Sequence, residues 1–426
     1  MTILNGRFRE YKLDNGLVVA LQDTPTQTIA GVLRVNFGPV HEKKGEEGLA
    51  HFLEHCLVTG GSRKYSPEES DRFRGNLGYH NAITSLGRIV FYSMMLPEDF
   101  EKWLEFISDS AFYPRFDANM VDGERGRVLR EFADTKSAPE FRMNKALTTA
   151  FCRGHPTGIF KLGKESVVSN ANGSNLRTFH SRGFHPNNMD LLIAGALPPE
   201  TTDFIEKYFA SKNPGQNTRI DFPKLLPLDD KVIIHESAPD LYNEESPQES
   251  SAMINLCFVC PPDSSREIYP VRILSQILGV GGSSRLFRRL GLEMGLAYEI
   301  NTSCNGEYNR GVFEIDGSVP SKRLKEAIDN IFLELQKVRE EGISELELSR
   351  AKKLAKYSVA SNYDSNEGHI NAMALRLDNG ISPEELLDNY ASVTLDDVVQ
   401  VARKYFPRDR ETGKYVLGIR DPLKKD

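Results

Sequence analysis

The sequence predicts an α+β protein of two homologous domains, each a mainly antiparallel sheet with helices packed on one face. Three observations lead there. The chain has 426 residues, too many for one ordinary core and suited to two domains of roughly 200 each. Apolar strand-like runs are mixed with paired amphipathic helices, the pattern of helices layered on an antiparallel sheet. The order of these elements also repeats: Ala30 to Ala252, in matching strands, is an offset of 222, and Pro97 to Pro320, before matching helices, is one of 223. A repeat at a fixed offset marks a duplicated unit.

In the first half, the strand AGVLRVNF (30–37) leads to a helix containing HFLEH and then to Gly60-Gly61. Next come the strand RIVFYSMML (88–96), a helix opened by Pro97 and a helix from about Asp117. In the second half, AMINLCFV (252–259) leads to the apolar helix YPVRILSQILG and Gly281-Gly282. The strand GVFEIDGSV (311–319), a helix after Pro320 and a helix from Ser344 follow. Phe100, Trp103, Leu104, Ile107 and Ala111 recur at three and four, as do Leu324, Ala327, Ile328, Ile331, Leu335 and Val338, so each helix has one buried stripe. Ser344-Glu-Leu-Glu347 is a capping box. The polar, proline-punctuated stretch 211–230 reads as a linker between a first domain, 1–210, and a second, 231–426.

Composition excludes several classes. The formal charge of −7 is spread along the chain without a basic tract, which argues against nucleic acid as a partner. No window approaches the run of about 18 apolar residues that a membrane helix needs. The N-terminus passes directly into a strand pattern with neither signal nor transit character, so a cytoplasmic location is the expectation, with a processed organellar form as the alternative. Five scattered cysteines argue against a disulfide framework. Cys257 and Cys260 form a CxxC, but in a strand, side chains three apart point to opposite faces.

The chemistry concentrates in GLAHFLEHC (48–56). On a helix, His51 and His55 stand one turn apart on one face, and Glu54 lies on that face too. Two neutral imidazoles suit zinc, and the carboxylate between them suits a base beside the open coordination position. Zinc lowers the pKa of its water to near 7, leaving Glu54 to take the proton and pass it to a leaving amine. A catalytic site needs a third protein ligand. The helical segment DGERGRVLREFAD (122–134) offers Glu124 and Glu131, two turns apart on one face. One suits a ligand and the other suits orienting a histidine. The glycine loop 279–284 lacks the lysine of a phosphate-binding loop and reads as a turn.

HFLEH, followed 76 residues after His55 by the second glutamate of ERGRVLRE, resembles the pitrilysin family of inverted-motif zinc metallopeptidases. Its members include insulin-degrading enzyme and the mitochondrial processing peptidase. The resemblance continues through GNLGYHNAITSLGRIVFYSMMLPEDF, GHPTGIFKLG (154–163), FHPNNMDLLIAGAL (184–197) and GGSSRLFRRLGLEMGLAYEI (281–300), covering nearly the whole chain. It implies that His51, His55 and Glu131 hold one zinc per active site, that Glu54 is the general base and that Glu124 orients a ligand. It further implies that the segment around Asn81 and Ala82 is an edge strand that pairs with the backbone of a peptide substrate, and that Tyr298 helps hold that substrate. One position departs: where the family commonly has an arginine seven residues before that tyrosine, this chain has Gly291, with Arg289 shifted by two.

The resemblance therefore implies a metalloendopeptidase acting on peptides or unstructured segments. The family builds a closed chamber from four homologous domains. This chain supplies two, which implies a second homologous subunit in a heterodimer or homodimer. The second half has no site of its own, since Arg272, Ser275 and Gln276 stand where His51, Glu54 and His55 stand in the first. The alternative reading, favoured by Gly291, is a non-catalytic scaffold or peptide-binding subunit of a peptidase-like complex.

Overall fold

A computed structural model describes residues 8–423, apart from the side chain of Gln248. In chain order the first half runs β1 (Phe8–Lys12), β2 (Val18–Asp23), β3 (Ile29–Val35), α1 (Leu49–Thr59), α2 (Pro67–Gly75), β4 (Tyr79–Thr84), β5 (Ile89–Met95), α3 (Phe100–Phe112), α4 (Ala118–Ser137), α5 (Phe141–Cys152), α6 (Glu165–Asn170), α7 (Gly173–Gly183), β6 (Met189–Gly195) and α8 (Thr201–Ile205). The second half runs β7 (Val232–Ser237), β8 (Ser251–Cys260), α9 (Ile268–Gly279), β9 (Glu299–Asn305), β10 (Gly311–Pro320), α10 (Leu324–Glu341), α11 (Glu345–Asn362), α12 (Asn366–Asn379), α13 (Pro383–Ser392), α14 (Leu395–Tyr405) and β11 (Val416–Asp421).

The repeat expected from the offset is present in the topology. The first sheet has the order β1-β2-β6-β3-β5-β4 and the second β7-β11-β8-β10-β9. Without β1, the two orders correspond strand for strand. Among the described residues, only β2 with β6, and β7 with β11, pair in parallel; every other pairing there is antiparallel. Strands β3 and β6 are buried at every residue, as their predominantly apolar sequences require of strands covered on both faces, and their two charged residues, Arg34 and Asp190, pair with each other. At the edge-proximal β5 the burial alternates.

The chain divides into two compact units that are not contiguous in sequence. Unit 1 comprises 1–135, 159–221 and 360–382, and unit 2 comprises 136–158, 222–359 and 383–426. The expected boundaries at 210 and 231 are therefore crossed by two segments. The apolar face of α12, with Ile370 and Met373, covers Ala20, Ala30, Val32, Leu192 and Ala194 on the first sheet. The apolar face of α5, with Met143, Leu147 and Phe151, covers Cys257, Val312 and Val416 on the second. These helices occupy equivalent places in the repeat, so each sheet carries its main helical layer on one face and one helix from the other half of the sequence on its second face. The stretch expected as a linker divides at Asp221, and its Leu225 and Leu228 are buried beside α5.

In unit 1, α3 docks on β3 through a close approach: a Cβ at Gly31 would lie 2.4 Å from the ring of Trp103. Trp103 Nε1 donates to Ser93 Oγ at 2.9 Å, satisfying the one polar atom of a fully buried side chain. In unit 2, Cys257 and Cys260 lie on opposite faces of β8, as a strand dictates. Among the described residues no helix is long and apolar enough to cross a membrane.

Candidate metal centre

Two helices of unit 1 build the site. Helix α1 begins at Gly48, whose φ of 105° suits glycine and whose Cβ position lies 2.4 Å from the carbonyl oxygen of Leu162. A Cβ on Gly163, itself at positive φ, would lie 2.1 Å from Gly48 N. This backbone interlock seats the first turn. The Ala50 N–H donates to Glu42 Oε1 at 2.8 Å, satisfying one amide of that turn. Burial outweighs this bond and lifts the Glu42 carboxyl to about 7.

His51 in the first turn of α1 and His55 one turn later have their ring centroids 4.7 Å apart. Glu131 comes from α4, and its Oε2 lies 3.6 Å from His51 Nε2 and 3.4 Å from His55 Nε2. These three ligand atoms lie within 4.8 Å of one another. A tetrahedral ion about 2.0–2.1 Å from each ligand needs ligands about 3.4 Å apart. The spacing and the set of two imidazoles and one carboxylate therefore fit zinc. Burial, then the charges of His55 and Lys161, push His51 down to about 3, so its imidazole is neutral and able to donate a lone pair at neutral pH.

Glu124, two turns before Glu131 on α4, is buried and places Oε2 3.4 Å from His55 Nδ1. Its other oxygen accepts from Arg127 Nη1 at 2.8 Å. Burial raises the Glu124 carboxyl, but His55, Thr59 and Arg127 outweigh it and hold it below its ordinary value. An ionised Glu124 can only accept a hydrogen bond from Nδ1, so the neutral His55 tautomer that donates there would keep its lone pair on Nε2, the nitrogen facing Glu131. His55 is itself lifted, burial being outweighed by Glu124 and the nearby carboxylates.

Glu54 projects from the same helix, nearly buried, and its Oε2 accepts from Thr84 Oγ1 at 2.9 Å. Burial lifts its carboxyl above the ordinary value, against His55 and Thr84, which favour the charged form. Thr84 ends β4, the strand at the edge of the first sheet. Sequence reasoning did not single it out. The signal was strand alternation, which puts Ala82 and Thr84 on one face, and both are buried there. Asn81 is exposed; its Nδ2 donates to Tyr79 OH at 3.2 Å, and its Oδ1 accepts from the Ala82 N–H at 2.9 Å.

The structure thus brings His51, His55, Glu131, Glu124 and Glu54 into one cluster and places Asn81 and Ala82 on the edge strand that carries Thr84. Tyr298 belongs to unit 2, just before β9, and at 96% exposure it is not a core residue. Near it, Gly291 lies in an irregular helical turn, and Arg289 is engaged by Asn330 at 2.9 Å and Glu293 at 3.0 Å. In α9, Arg272 pairs with Asp263 and Ser275 with Thr302, so the positions equivalent to the cluster carry a structural set of side chains.

Comparisons with known proteins agree with this division. Residues 17–163 match the model of the insulinase family, peptidase family M16, and residues 170–355 match that of the M16 inactive domain. A Bacillus subtilis protein described as an uncharacterized zinc protease, YmxG, is 25% identical over 97% of this chain and 98% of its own. An insulin-degrading enzyme homolog of Dictyostelium discoideum is 29% identical over 71% of this chain and 31% of its own. Among solved structures, a protease from Helicobacter pylori superposes with a TM-score of 0.83 at 20% identity, covering 98% of this chain and all of that one. The periplasmic protease PqqL of Escherichia coli superposes at 0.80 and 17% identity, with 97% of this chain covering 47% of PqqL. At these identities the structural likeness speaks for the fold. Two family models that together run from residue 17 to residue 355, and relatives along the full length, make this chain a member of peptidase family M16, the pitrilysin family.

Proposed function

We propose that this chain is a zinc-dependent metalloendopeptidase acting on peptides or unstructured polypeptide segments. The observation that carries the reading is the convergence of His51, His55 and Glu131 beside the buried carboxylate of Glu54. His51 and His55 from α1 and Glu131 from α4 hold the metal. When bound, zinc lowers the pKa of a coordinated water towards 7 and polarises the scissile carbonyl. Glu54, held by Thr84, takes the water proton and delivers it to the departing amine. Glu124 fixes the tautomer of His55. The edge of β4 at Asn81 and Ala82 aligns the substrate main chain by strand addition, and Tyr298 contributes a hydroxyl to substrate binding.

The relatives described as zinc proteases support this reading, as does the placement of the inactive-domain match on residues that include none of the five clustered side chains. That this whole chain spans about half of PqqL supports a second homologous subunit that completes a chamber. The test is metal analysis together with cleavage of an internally quenched, unstructured peptide by zinc-loaded, chelator-stripped and zinc-restored protein. The reading expects one zinc per chain and cleavage that disappears and returns with it. Protein that binds no zinc and stays inert with its co-purifying partner would overturn it and favour the scaffold alternative.

A further inference from the structure

Unit 1 contains a second charged cluster, on the face of the sheet away from α1. Asp378, at the end of α12, accepts from two arginines, each with both terminal nitrogens. Arg34 on β3 donates at 3.0 and 3.1 Å, and Arg88, in the turn between β4 and β5, donates at 2.6 and 2.7 Å. Arg88 Nε also donates to Asn36 at 2.7 Å, and Asn36 in turn donates to Asp190 at 3.0 Å. Asp190 takes Arg34 at 2.8 Å and Arg219 at 2.5 Å. Arg34 and Asp190 are nearly inaccessible.

A buried ionic network of this kind is a weak source of stability, because desolvation offsets most of the attraction. Helix α12 already has an apolar face on the sheet. What the network supplies is direction, and the member it aims is the β4–β5 turn. Ser85 and Arg88 close that turn through the Ser85 N–H to Arg88 carbonyl bond at 2.8 Å, and Val40 N–H holds the Leu86 carbonyl at 3.0 Å. There is no slack beside it: a Cβ at Gly38 would lie 2.6 Å from Arg88 N and 2.9 Å from the Ser85 oxygen. Thr84, which immediately precedes Ser85, is the residue that holds Glu54.

We infer that Asp378 is a positioning residue for Glu54: through Arg88 it fixes the β4–β5 turn and so the height of Thr84 against the carboxylate. A helix from the second half of the sequence thereby sets the geometry of a base in the first. The inference rests on the proposed role of Glu54.

The test uses full-length, zinc-loaded protein and compares Asp378→Asn with Met373→Ala, which weakens the same helix through its apolar face. Asp378→Asn is expected to keep one zinc per chain, since the ligands lie on α1 and α4, while kcat on the quenched peptide falls about tenfold. Backbone amide exchange over 79–89 should quicken about tenfold, and Met373→Ala should leave exchange there unchanged. Equal effects of the two variants on that segment, or an unchanged hairpin in Asp378→Asn, would overturn the inference. If Asp378→Asn does not fold, Arg88→Gln cuts the same link at the hairpin end, with the same expected and overturning results. Wild-type protein that binds zinc without cleaving would sink the peptidase reading alone, because the exchange comparison still decides what Asp378 holds.

Discussion

Replacing Thr84 by valine removes one hydroxyl and almost no volume, and the structure fixes what that should cost. Glu54 is nearly buried and its Oε2 receives the Thr84 hydroxyl at 2.9 Å. A hydrogen bond to a charged acceptor contributes about 1.5–3 kcal/mol. The Thr84 backbone N–H also favours the Glu54 carboxylate and survives the substitution, so the lower end, about 1.5 kcal/mol, is the appropriate figure. At about 1.4 kcal/mol per factor of ten, kcat/KM should fall about tenfold. Thr84→Ser keeps the hydroxyl and should stay within about threefold of wild type. Zinc content should be one per chain in all three proteins, because no ligand is touched. The assay is steady-state cleavage of the quenched peptide with metal analysis on the same samples. Thr84→Val at wild-type activity, or activity lost together with zinc, would refute the assignment of Thr84 as the residue that holds the base.

Three further outcomes follow from the packing and the charges. Gly48→Ala forces a Cβ into a φ of 105° and against the Leu162 carbonyl; it should cost at least about 3 kcal/mol and lower both the thermal midpoint and the zinc affinity. Leu147→Ala removes a side chain buried against the bare backbone of Gly418 and should cost about 2–5 kcal/mol, with faster amide exchange in β7 and β11 before the rest of the chain. Burial raises the Glu347 carboxyl, but Arg285 and the Ser344 cap outweigh it and hold it at about 2, below its ordinary 4.5. A depressed carboxyl stabilises the fold above its ordinary value, so this contribution should fade as pH falls from about 4.5 through about 2. Glu347→Gln should flatten that part of the stability curve in acid titrations.

The strands and helices of both repeats were legible because each buries one stripe or one predominantly apolar run, and period is a property of sequence. The central strands come out within about a residue, as in β10 (Gly311–Pro320) against the expected 311–319. The destination of a stripe is a different matter. Met143, Leu147 and Phe151 mark a buried face on α5, but nothing local says that this face belongs to β8, β10 and β11. The reciprocal placement of α12 was hidden for the same reason, and with it the true composition of the two units. Leu225 and Leu228 escaped notice because two leucines among prolines carry no period.

At the site, helical spacing was enough to put His51, Glu54 and His55 on one face. Closing the set needed a choice between Glu124 and Glu131, which spacing left open and the resemblance made for Glu131; in the fold Glu131 faces both Nε2 atoms, whereas Glu124 faces His55 Nδ1. Thr84 and Asp378 were out of reach, since a hydroxyl and a carboxylate acquire their roles here only through contacts 30 residues or more away in sequence.

The central claim, that a zinc held by His51, His55 and Glu131 works with Glu54 as base, is tested most directly by Glu54→Gln. The substitution preserves shape and every ligand and removes only the proton acceptor. The account predicts one zinc per chain, an unchanged thermal midpoint within a few degrees and cleavage reduced to background. A Glu54→Gln protein that cleaves the quenched peptide at the wild-type rate, with its zinc in place, would contradict it.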